Sequence, residues 1–233
     1  MSDLNTPPLN PLPMVVWMLA LPMIAMEVVV QAGANGLAGG PEGIGWRVQA
    51  IQTLGFAPDY LRQMLDLWQF PLDGVYRLFS YSFVHVDLSH TLFVVVILLA
   101  LGKFVGEVYA GWAVLVTYLA AAAVGALAYT ALPVAHAGLI GGYPGNYGLI
   151  GAYTFLLWVR LAGQGSLRAF RLIGFFMVFQ VGIAVIGIVL YGVERGTTWE
   201  FVADLTGFAT GFALAFVVSP GGWARVLAKL RTS

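Results

Sequence analysis

The stretch that decides the fold is residues 76–111, YRLFSYSFVHVDLSHTLFVVVILLALGKFVGEVYAG. Two histidines, His85 and His90, precede an apolar run that ends at Lys103 and Glu107. A run of this length can cross a bilayer as a helix. Histidine at the edge of a membrane helix is costly unless it faces protein or water, so both imidazoles are candidates for a functional site. The alternative is that both rings lie at headgroup level and only cap the helix.

The composition of the whole chain indicates an integral membrane protein. Of its 233 residues, 60% are hydrophobic and 9% are charged, whereas soluble domains carry about 25% charged residues. The formal net charge is zero, and no basic run favours nucleic-acid binding. Because the chain has no cysteine, disulfides, thiolate metal sites and cysteine nucleophiles are excluded. The expected surroundings are the lipid bilayer, and no cofactor is predicted.

The apolar runs predict one domain of six transmembrane helices at residues 14–219. Residues 1–13 are expected to form a cytoplasmic tail without signal-peptide features, and residues 220–233 a short, basic, amphipathic tail. Six spans place both termini on one side of the membrane. If that side is the cytoplasm, the basic residues of the short loops are mainly cytoplasmic, as the positive-inside rule requires. The predicted spans are 14–31, 91–108, 112–132, 141–158, 172–191 and 201–218.

The loop between the first two spans, residues 32–72, contains two segments of helical periodicity, WRVQAIQTL and APDYLRQMLDLWQF. Amphipathic helices of this kind lie in the membrane interface. Glu27, the acid of the first span, is expected to be an interfacial carboxylate near the helix end. In the sixth span, Gly207 and Gly211 are four residues apart, which lets two membrane helices pack closely.

Three separated motifs resemble those of the rhomboid intramembrane serine proteases. Residues 76–107 resemble the family's aromatic–Arg pair, its two histidines and the Gly and Glu that end the second helix. Residues 141–151, GGYPGNYGLIG, resemble Gly-x-Ser-Gly-x-x-aromatic-Gly-Leu-x-Gly, and residues 204–211 resemble His-x-x-Gly-x-x-x-Gly. The resemblance implies an all-α rhomboid bundle of six transmembrane helices with an amphipathic first loop. It also implies a Ser–His dyad that cleaves transmembrane helices, and a movable fifth helix that admits them.

The chain departs from this pattern at the reactive positions. Tyr143 stands where the family has its serine, and a second register would place Tyr147 there; Asp204 replaces the general-base histidine. Val94 replaces an oxyanion asparagine, so that His90, with His85 beside it, is what remains of the oxyanion site. A tyrosine phenol has a pKa near 10, and acyl transfer needs a nucleophile activated by a neighbouring base. No catalytic residue is therefore predicted to be intact.

The other motif residues are expected to have structural roles. Arg77 would attach the first loop to the bundle, and Glu107 would do the same at the cytoplasmic end of the second helix. Gly207 and Gly211 are expected to bring the sixth helix against the fourth, where Gly148 and Gly151 lie. Gly141 and Tyr147 are also expected to be structural.

Asp204 allows three interpretations. It would form a hydrogen-bond cluster with Tyr143 and a histidine, or it would cap the sixth helix, since Asp is favoured at a helix start. A metal site of His85, His90 and Asp204 is chemically conceivable, but no metal is predicted, because the resemblance offers no precedent for it.

The sequence thus predicts a rhomboid pseudoprotease that binds transmembrane helices of client proteins for quality control, assembly or trafficking. The expected location is a bacterial cytoplasmic membrane. One alternative is an active protease with a rewired site that uses Asp204 with water or another serine; Ser80, Ser82 and Ser89 lie nearby in sequence. A second alternative is an accessory subunit of a membrane complex.

Overall fold

The computed structural model describes residues 11–133, 136–161, 166–192 and 199–224, and within these ranges its regular elements are helices. The predicted N-terminal tail lies almost wholly outside them, as does most of the predicted C-terminal tail. Short 3₁₀ turns occur at Tyr81–Phe83 and Ser166–Phe170. The α-helices are α1 (Met14–Ala34), α2 (Gly40–Gly43), α3 (Trp46–Leu54), α4 (Pro58–Leu67), α5 (Leu72–Ser80), α6 (Leu88–Gly106), α7 (Gly111–Thr130), α8 (Tyr143–Arg160), α9 (Arg171–Tyr191) and α10 (Phe201–Val218).

Five segments of the described chain are long and apolar enough to cross a membrane. They are α1, α6, α7, the stretch Leu167–Leu190 that includes α9, and α10. The fourth predicted span, α8, does not meet this criterion. Its first two turns contain Pro144, Gly145 and Asn146, yet these turns are buried between other helices. The all-α membrane fold is confirmed, while the count of six spans stays a prediction.

The bundle is built around α8, which packs against α6, α7 and α10. At the α8–α10 contact the two backbones meet without side chains between them. A Cβ atom on Gly211 would lie 1.9 Å from the carbonyl oxygen of Gly148, and one on Gly207 would lie 2.4 Å from that of Pro144. A Cβ on Gly151 would lie 2.2 Å from the carbonyl oxygen of Phe208. This is the close approach that the spacing of small residues predicts.

Helices α3 and α4 of the first loop form at the two segments where periodicity predicted helices. Helix α5 follows them and was not predicted from the sequence. Arg62 fixes α4 to the end of α7, because its guanidinium donates to the carbonyl oxygens of Thr130 (2.8 and 3.1 Å) and Leu132 (2.6 Å). Such bonds satisfy carbonyl groups that the last turn of a helix leaves free.

The expectation that Glu27 is an interfacial carboxylate is wrong, because the side chain is enclosed by protein. Its oxygens accept bonds from Arg47 of α3 at 2.6 and 3.0 Å, from Thr91 of α6 at 2.7 Å and from Gln31 at 3.0 Å. Arg47 also donates to the carbonyl oxygen of His85 at 2.9 Å. A buried charge is tolerated when it is paired and hydrogen-bonded in this way, so this network joins α1, the first loop and α6.

Helix α9 is the least enclosed of the long helices. Among its described side chains, Ile173 is the buried one, while others such as Phe175, Val178 and Val189 are exposed. Its apolar exposed surface is what a helix presents to lipid. Because packing between membrane helices depends on close contacts, α9 is the long helix that is easiest to displace.

Candidate functional site

The candidate site lies where the starts of α6 and α8 meet the 3₁₀ turn Tyr81–Phe83. Helix α6 begins at this point because Asp87 accepts a hydrogen bond from the backbone N–H of His90 at 2.8 Å, which is an N-cap. Gly141 has a φ of +99°, and a Cβ there would lie 2.6 Å from the Nε2 atom of His90. Its N–H donates to the carbonyl oxygen of Tyr81 at 2.9 Å. Position 141 therefore requires glycine.

Three aromatic rings form the centre of this site. The rings of His85 and His90 meet edge to face with centroids 5.1 Å apart. The ring of Tyr143 stacks on His90 with centroids 5.0 Å apart and planes 18° apart. Tyr147 lies one turn deeper and meets Phe176 of α9 at 5.8 Å. Of the two tyrosines left open by the sequence, Tyr143 is the one whose ring contacts the histidine.

The two imidazoles are enclosed by protein, and not all of their ring nitrogens are hydrogen-bonded. Within the described part of the chain, the Nε2 atoms of His85 and His90 are buried and have no hydrogen-bond partner. Burial, together with the neighbouring His90, lowers the pKa of His85 to about 4. Desolvation disfavours the charged form of histidine, so His85 is a neutral ring at physiological pH.

An asparagine, Asn146 of α8, lies near the site. Val94, which the sequence resemblance aligns with an oxyanion asparagine, is fully buried. Asn146 of α8 donates its Nδ2 to the carbonyl oxygen of Val94 at 2.9 Å. One N–H of the Asn146 amide is therefore engaged by the α6 backbone. The sequence reading did not single out Asn146, although a polar amide inside an apolar span was a signal for it.

Asp204 is 4% exposed and accepts a hydrogen bond from the side-chain amide of Gln180 on α9. Asp204 is not the N-cap residue of α10, which is Glu200, but it lies in the first turn of the helix, where an acidic side chain is favoured. Burial raises the pKa of Glu200, which precedes the span, to about 7. The partner on α9 also differs from the predicted cluster with Tyr143 and a histidine.

The three residues considered for a metal site, His85, His90 and Asp204, do not come together as a group. Among the described residues, no group of three His, Cys, Asp or Glu side chains is close enough to hold a metal ion. His85, His90 and Asp204 all belong to the described part, so the two-histidine, one-carboxylate arrangement does not form.

The remaining predicted residues lie at the edges of the site or away from it. Arg77 of α5 donates to the carbonyl oxygen of Gly55 at 3.0 Å, which attaches the first loop to α5. Glu107 is the exposed C-cap residue of α6. Ser80 donates to the carbonyl oxygen of Leu54 at 2.7 Å. Ser82 is fully buried and Ser89 is exposed.

The sequence pattern of the Rhomboid domain matches residues 72–221, from α5 through α10. This match covers more than half of the chain and includes every residue of the candidate site. The chain belongs to the rhomboid family. Comparison with curated proteins gives no match. In this rhomboid protein the ring of Tyr143 is stacked against that of His90.

Proposed function

We propose that this rhomboid protein is a pseudoprotease that binds transmembrane helices of other membrane proteins without cleaving them. The observation that carries the proposal is the stacking of Tyr143 on His90, at 5.0 Å between ring centroids. The phenol ring occupies the face of the imidazole, and one register of the sequence resemblance aligns Tyr143 with the family's serine.

Three further features argue against hydrolysis. The carboxyl group of Asp204 accepts its hydrogen bond from Gln180 of α9, and not from Tyr143 or Tyr147 of α8. Pro144, which follows Tyr143, has no N–H to offer a developing oxyanion. The amide of Asn146 is committed to backbone, and losing one oxyanion donor costs about 10²–10³ in rate. Removal of the dyad leaves only residual catalysis.

The weak packing of α9 supports helix binding. Phe176 of α9 covers Tyr147, and few other α9 side chains are enclosed. Helix α6 also has exposed apolar side chains, such as Leu92, Phe93 and Val96. A client helix that displaces α9 would pack against this surface and reach the starts of α8 and α10.

The proposed orientation places both termini in the cytoplasm of a bacterial cell, with the client's outer end at the candidate site. Because His90 and Tyr143 stack near the starts of α6 and α8, Lys103 and Arg160 in the last turns of these helices lie at the opposite end. That end therefore holds basic residues, in accord with the positive-inside rule. Quality control, assembly and trafficking of membrane proteins are the processes such binding would serve.

The test uses the purified protein in lipid vesicles with a single-span test protein that has a different fluorophore at each end. A photo-reactive residue replaces Phe176 on α9 or, as the control, Val116 on the exposed face of α7. Binding predicts cross-linking from position 176 well above that from position 116, with both fluorophores retained. Equal cross-linking from the two positions, or separation of the fluorophores, would contradict the proposal.

A further inference from the structure

Asp204 is a carboxyl group inside a membrane span without a cationic partner in the described chain. It is 4% exposed, and the ion pairs of the described residues do not include it. The basic residues nearest to the outer end are engaged elsewhere: Arg47 pairs with Glu27, and Arg62 pairs with Asp59. Arg195 lies outside the described residues.

The hydrogen-bond partner of Asp204 belongs to the helix that is easiest to displace. Gln180 supplies a neutral amide from α9, and its own Oε1 atom is buried without a partner among the described residues. When α9 moves away, this bond breaks and the carboxyl group faces the space that α9 has left. A carboxyl group in an apolar medium is costly unless it is paired. The opened site therefore favours a partner that supplies a hydrogen-bond donor or a positive charge.

The surroundings of Asp204 favour a cation over a neutral donor. An ammonium or guanidinium group donates charge-assisted hydrogen bonds to a carboxylate, and these are stronger than the bond from a neutral amide. Gly207 of α10 lies against the carbonyl oxygen of Pro144, so Asp204 is at the end of α10 that packs on the start of α8. The site thus presents one buried carboxyl group without a cationic partner among the described residues.

We propose that Asp204 selects client helices that carry a lysine or arginine inside the membrane, at the depth of Asp204. This inference rests on the proposed function, because it names which transmembrane helices the protein binds. The client's cation replaces the Gln180 amide and forms charge-assisted hydrogen bonds, which are roughly twice as strong as neutral ones. The client benefits as well, because its own unpaired charge is costly in the bilayer.

The experiment compares versions of one single-span test helix that differ at a single position near the outer end. Each version has Lys, Leu or Glu there, and cross-linking from position 176 measures how much is bound. The expected preference for the Lys over the Leu version is about tenfold, as a charged hydrogen bond provides. Asp204→Asn should reduce that ratio to about twofold or less, whereas the control Leu205→Asn, an exposed neighbour on α10, should leave it unchanged.

Two further variants keep the inference testable if Asp204→Asn does not fold. Gln180→Leu removes the neutral partner and should increase binding of the Lys version, and the wild-type protein should bind the Glu version least of the three. Equal binding of the Lys, Leu and Glu versions would overturn the role of Asp204 while leaving helix binding intact. Absence of cross-linking to any version would instead overturn the proposed function itself.

Discussion

Replacement of Gly211 by alanine tests how α8 and α10 are held together. The added Cβ would lie 1.9 Å from the carbonyl oxygen of Gly148 and 2.7 Å from its Cα atom. Both atoms belong to the backbone, so no flexible side chain can move aside. Since ordinary contacts between carbon and oxygen are longer than 3 Å, the two helices would have to separate by about 1 Å. Membrane helices associate through close packing, and this separation would weaken the contact along its whole length.

The expected cost follows from two opposing terms. Forcing an extra carbon into a packed interior costs typically about 3 kcal/mol or less, and more when the backbone must move. Alanine is favoured over glycine within a helix by about 1 kcal/mol. For Gly211→Ala we therefore expect a loss of about 2 kcal/mol or more in the free energy of unfolding.

The assay is denaturant unfolding in mixed micelles, with Gly182→Ala as the matched control. Gly182 lies inside α9, and a Cβ there would have no atom within 4 Å. This control should be as stable as wild type or slightly more stable. If Gly211→Ala is as stable as Gly182→Ala, the backbones of α8 and α10 are not in the close contact described at Gly148 and Gly211.

Three further outcomes are expected. Glu27→Ala leaves the Arg47 guanidinium without its carboxylate and should lower the free energy of unfolding by about 3 kcal/mol or more. If the Glu27→Ala, Arg47→Ala double variant loses as much unfolding free energy as the two single variants together, the two side chains do not interact. Asp204→Ala leaves the Gln180 amide without its acceptor and should lower the melting temperature. An unchanged melting temperature would mean that the Gln180–Asp204 hydrogen bond does not stabilise the bundle. The pKa of His85 is about 4 in the folded protein and about 6.5 in the unfolded chain. The unfolded chain therefore binds more protons between these values, and stability present above pH 6.5 is lost as the pH falls towards 4. Melting temperatures at pH 7 and pH 5 should differ more for wild type than for His85→Gln, and equal differences would contradict this assignment.

The positions of the long helices could be predicted because apolar run length determines them. Helix α10 begins and ends at the predicted residues, and α9 begins one residue earlier than predicted. Helix α6 begins at Leu88, three residues before the predicted start, because Asp87 caps it. That difference was open to prediction, since Asp is a preferred N-cap residue. Helix α8 was found from its motif, and its polar first turns are buried where hydropathy alone would not place a span.

The polar contacts could not be predicted, because they join residues far apart in the chain. Glu27 and Arg47 are twenty positions apart, and Gln180 and Asp204 are twenty-four apart. Periodicity describes one helix at a time and gives no partner on another helix. The replacements at the reactive positions were visible in sequence, but the stacking of Tyr143 on His90 required coordinates.

The most direct test of the central claim is a cleavage assay with the wild-type protein. A fluorogenic transmembrane substrate is incubated with the protein in lipid vesicles. An active rhomboid protease in separate vesicles of the same lipid is the positive control. We expect no cleavage by this protein under conditions where the control cleaves fully. Cleavage that is abolished by Asp204→Ala or by a single serine replacement would show that the protein is an active protease and not a pseudoprotease.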